Sequence, residues 1–83
     1  MALSKSELNG LKTFLSKRTD AKIIDIDYWA DHLNWGVPTF NLLLQIIPTK
    51  KEDLDEYFFE DEVRVYFKLI SKPWSGPIKV HLL

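Results

Sequence analysis

An α+β fold follows from three observations on this chain. Ser4-Lys5-Ser6-Glu7 is a capping box that opens a helical apolar stripe. Lys22 to Trp29 and Pro38 to Ile47 alternate like strands. Glu62 to Leu83 alternates again on both sides of a Pro/Gly-rich break. Together they predict the order α-β-β-α-β-β: a four-stranded, mostly antiparallel sheet with two helices on one face. Residues 1–83 form a single domain, near the lower end of what folds on one core.

The first helix is expected over Lys5–Arg18. Ser4 is its N-cap and Glu7 its N3 residue, and Leu3 and Leu8 are spaced for a hydrophobic staple. Leu8, Leu11 and Leu15, with Phe14 beside them, give the inner stripe, and Lys17 and Arg18 suit the negative end of the dipole. Gly10 weakens this helix by about 1 kcal/mol relative to alanine. It therefore needs tertiary packing.

After Thr19-Asp20-Ala21, alternation places Ile24, Ile26 and Tyr28 on one strand face, and Ile23, Asp25, Asp27 and Trp29 on the other. Periodicity then lapses from Ala30 to Val37. Residues 38–47 fit two patterns. As a strand they line up Phe40, Leu42, Leu44 and Ile46; as a helix, Phe40, Leu43, Leu44 and Ile47. The strand pairs with Lys22–Trp29 and is the reading adopted. With 38–47 helical the alternative is a winged-helix-like arrangement.

Thr49-Lys50-Lys51-Glu52 forms a second capping box, and Leu54, Tyr57 and Phe58 would be the inner side of a helix ending at Glu60-Asp61-Glu62. Val63, Val65, Phe67 and Leu69 then alternate with Arg64, Tyr66, Lys68 and Ile70. Ser71–Pro77 breaks the run and Ile78–Leu83 resumes it, as in a β-hairpin.

Charge is segregated under a net value of −1. Residues 1–22 carry +3, residues 23–62 carry −8, and residues 63–83 carry +4 with no acid at all. Some of this is expected to pair within the chain. The absence of cysteine excludes disulfides and thiolate metal sites, and two histidines are too few for Cys/His zinc patterns. No apolar run exceeds three residues, and Met1–Lys5 lacks the apolar core of a secretory signal. A cytoplasmic protein, with no membrane contact, is expected.

Catalysis finds no apparatus: no Gly-x-Ser-x-Gly, no glycine-rich phosphate loop and no HExxH is present. Asp27, Asp31 and His32 are a weak metal-ligand set, and no metal or cofactor is expected. The stretch Asp27–Trp35 is nevertheless unusual, with three aromatics, two carboxylates and a histidine in nine residues. Its tryptophans suit either core closure or a recognition surface.

The chain is therefore expected to be a small non-catalytic protein-binding module of inhibitor, immunity-factor or adaptor type. Trp29, Trp35 and Trp74 would be anchors, Asp25, Asp27 and Asp31 would steer a basic partner, and Tyr66 and Ile70 would lie on the exposed sheet face. A homodimer through that face is a further expectation. The alternative is a single-stranded nucleic-acid binder using Arg64, Lys68, Lys79, Tyr66 and Trp74 of the basic C-terminal hairpin.

Overall fold

The computed structural model describes residues 3–34, 37–50 and 55–83. Its elements are α1 (Lys5–Arg18), β1 (Lys22–Asn34), β2 (Val37–Ile47), α2 (Glu56–Leu69) and β3 (Ile78–Leu82). The sheet has three strands in the order β1-β2-β3. β1 and β2 run antiparallel, whereas β3 lies parallel to β2 after crossing over through α2.

The α1 capping box forms as expected. Ser4 Oγ accepts from the Glu7 amide, and Glu7 Oε1 accepts from the Ser4 amide. Leu11 and Leu15 are wholly buried. Complete burial of such side chains contributes about 1.5–3 kcal/mol each, enough to outweigh the cost of Gly10 in this helix.

β2 is a strand, which removes the winged-helix-like alternative. Leu42, Leu44 and Ile46 are fully buried between β1 and β3, on the face that both helices cover. β1 runs on through Ala30 to Asn34 and pairs with β2 as far as Asn34–Val37. A register shift between Ile23 and Asp25 also alters the expected faces. Ile23 sits opposite Ile46 and Ile26 opposite Leu44, so both belong to the covered face and Ile24 is left partly exposed. A bulge supplies one extra residue and shifts the alternation by one step.

The C-terminal hairpin is absent. Residues 56–69 are one helix, so the sheet has three strands instead of four. Phe59, Val63, Tyr66, Phe67 and Ile70 fall on a single helical stripe, and all five pack into the core. Leu69, inward-facing in a hairpin, is exposed here. Asp55 is the N-cap, accepting from the Phe58 amide at 2.9 Å, while Lys51 and Glu52 of the expected capping box lie outside the described residues. The helix closes in a Schellman motif: the Lys72 amide donates to Phe67 O and the Ser71 amide to Lys68 O. Ser71 takes φ 61° there, a position that glycine usually fills.

Ion pairs tie α1 to α2 and to the segment that follows it. Arg18 donates to both Glu62 carboxylate oxygens, at 2.7 and 3.2 Å, and Lys72 pairs with Glu7 at 2.7 Å. The Arg18–Glu62 pair joins the basic first segment to the acidic middle one, so part of the charge segregation is consumed within the chain.

Candidate functional site

Both helices pack on one face of the sheet, leaving the opposite face open. The register fixes what that open face presents. Across the strands run the rows Asp27–Leu43–Lys79 and Asp25–Gln45–His81. Beyond them Trp29 stands opposite Asn41, and Asp31 opposite Thr39. One edge of the face is therefore acidic and the other carries a lysine and a histidine. Neutral β2 side chains lie between them.

Trp29 is about one-third exposed, and Asp25 and Asp27 are exposed. Asn41, directly opposite Trp29, is buried although it lies on the open face. Its amide nitrogen donates to Asp31 Oδ2 at 3.1 Å and to Thr39 O at 3.2 Å. That bond orients Asp31. Asp25 Oδ1 accepts from the neighbouring Ile26 amide. Among the described residues, neither Asp27 nor Lys79 enters an ion pair. Adjacent strands lie about 4.8 Å apart, so Leu43 separates the two charges by two strand spacings.

Three expected site residues belong elsewhere. Trp74 is only 6% exposed, stacked on Phe67 at 5.2 Å and edge-on to Tyr28 at 6.1 Å. Arg64 holds its loop by donating to Trp74 O at 2.7 Å. Tyr66 is buried between the helices and donates from its hydroxyl to Glu7 O at 2.7 Å. Burial, and after it the Glu7 charge, raises the Tyr66 pKa above the ordinary tyrosine value. Ile70, the C-cap of α2, packs against the core. None of these three lies on the sheet, because the strand expected to carry two of them is a helix. Trp35 lies outside the described residues, as does the side chain of His32.

The basic hairpin surface dissolves with the hairpin. Arg64 and Lys68 sit on α2 and Lys79 on β3, while Tyr66 and Trp74 are buried. Among the described residues no group of three His, Cys, Asp or Glu side chains gathers to hold a metal, and no helix is long and apolar enough to cross a membrane. A cleft of about 220 Å³ lies at the end of α1, with Lys17, Arg18 and Lys50 around Phe58. Its arginine is already engaged by Glu62.

Sequence reasoning put Asp25, Asp27 and Trp29 on one strand face and Leu43 on the uncovered face of the sheet, and named Asp31 as a steering carboxylate without giving it a face. It missed Asn41, Gln45 and His81 as their neighbours. The signal for the β2 residues was the strand reading of 38–47, whose second face is Asn41, Leu43, Gln45 and Ile47. Neither protein-family models, nor curated proteins, nor solved structures give a match to this chain.

Proposed function

We propose that the chain is a non-catalytic protein-binding module and that the open sheet face is its binding surface. The observation that carries this reading is the Asp25–Asp27–Asp31 row on β1 with Trp29 set into it. A tryptophan can give an interface a large contact area, and aligned carboxylates speed encounter with a positively charged partner. Leu43 in the middle of the face and Ile47 at its end add apolar surface, and Ile47 is 43% exposed. The expected partner is a protein that presents basic side chains at strand-like spacing.

The experiment places a photo-cross-linking phenylalanine analogue at Leu43, and in a separate variant at the exposed Lys12 of α1. Irradiation in an extract of the source cells should give discrete protein adducts from position 43. Asp27→Lys should abolish them, and position 12 should give none. Equal adducts at both positions, or no adduct from position 43, would remove the proposal.

A further inference from the structure

The open face carries both the charges of a binding surface and the charges such a surface would seek. β1 supplies the carboxylates, and β3, two strands away, supplies Lys79 and His81 at matching levels. We propose that the partner of this face is a second copy of the chain, stacked sheet to sheet about a two-fold axis that runs along β2. This inference rests on the reading of the open face as a binding surface.

Symmetry and charge together select that axis. A two-fold axis parallel to the strands exchanges left and right across the sheet but keeps each residue at its own level. β1 of one copy then lies over β3 of the other. Asp27 faces the second copy's lysine at position 79, and Asp25 faces its histidine at position 81, each contact occurring twice. Leu43 and Gln45 meet their own counterparts near the axis. An axis across the strands would instead stack β1 on β1 and set acid against acid. Face-to-face sheets keep their strands aligned to within about 30°, as the chosen axis requires. An isologous contact of this kind closes at two copies.

Edge-to-edge pairing competes less well. β1 is an edge strand, but its Ile24 bulge and its three carboxylates are the features that keep edges from pairing. β3 has only five residues and lies behind two prolines. Three strands make a small face compared with stable interfaces. The dimer is therefore expected to dissociate on dilution and in high salt.

Sedimentation equilibrium on the full chain tests this with Asp27→Lys, Lys79→Asp and the double exchange. Both positions are exposed, and circular dichroism checks that each variant is folded. The wild-type chain should reach a dimer and no larger species. Each single reversal should raise the dissociation constant at least tenfold, and the double exchange should restore it. An equimolar mixture of the two single variants should form a one-to-one dimer, because every facing pair then becomes opposite in sign.

A wild-type chain that stays monomeric at millimolar concentration overturns the inference, as does a dimer indifferent to both reversals. If the chain is monomeric while the Leu43 probe still yields charge-dependent adducts with another protein, the second copy is ruled out and the binding face stands. If neither self-association nor adducts appear, both readings fail.

Discussion

The Tyr66 hydroxyl lies against Cα of Gly10, where the β-carbon of any other residue would have to sit. The ring carbon behind that hydroxyl is 3.4 Å from the same point, an ordinary contact. Gly10, a weak position by helix propensity, is thus where α2 reaches α1 and where Tyr66 finds Glu7 O. Gly10→Ala should destabilise the protein by about 1–2 kcal/mol, because overpacking exceeds the helix gain. In a Tyr66→Phe background the same change should stabilise, by up to about 1 kcal/mol. Urea midpoints of the four proteins check this reversal of sign.

The same contact region sets the pH limits. The Lys72 ammonium, and after it the Ser4 amide, holds the Glu7 carboxyl below its ordinary value. A lowered folded-state pKa gives stability that is present above the unfolded value and is lost as pH falls through the folded one. Tyr66 is shifted the other way, so its contribution is present below the ordinary tyrosine pKa and is lost as pH rises through the raised one. Glu7→Gln should flatten the acid limb of a plot of melting temperature against pH. Tyr66→Phe should flatten the alkaline limb.

Trp74 and Trp29 should part company on mutation. Trp74→Ala empties a stacked core site and should cost about 3–5 kcal/mol, a large share of what a small domain possesses. Trp74→Phe should cost less, since the buried indole Nε1 has no hydrogen-bond partner among the described residues and its loss leaves nothing unpaired. Trp29→Ala should change stability by about 1 kcal/mol or less while weakening association. Guanidinium midpoints read beside dissociation constants separate the two roles.

Ser71 holds a left-handed backbone at the end of α2. Ser71→Gly should stabilise the fold by about 1 kcal/mol, the strain that a β-carbon adds in that region. Thermal melts measure it directly.

How much could be read in advance varied with the length of the pattern. Ser4-Lys5-Ser6-Glu7 is a local signal, and α1 came out as read. Residues 38–47 fitted helix and strand alike, and the strand reading held because both neighbours of β2 exist. The failure came at 63–70, where Val63, Val65, Phe67 and Leu69 alternate cleanly. The longer stripe from Phe59 to Ile70 contradicts that alternation, and it emerges only when Glu60-Asp61-Glu62 is read as the outer side of a continuing helix. Trp74 and Tyr66 were misplaced for the same reason. The bulge at Ile24 left no composition signal, since its neighbours are as β-prone as any strand residue. On the site side, Asp25, Asp27 and Trp29 were legible as one strand face, whereas Asp31 falls where the alternation lapses. The facing lysine and histidine were not, because their level on the sheet depends on a parallel crossover.

The open sheet face as the meeting surface is tested most directly by amide chemical shifts of the labelled protein across a hundredfold dilution series. Shifts should move at residues 25–29, 43–45 and 79–81 and stay fixed on the outer sides of α1 and α2. Movement confined to the helices, or a spectrum that does not change with concentration, would contradict association through this face.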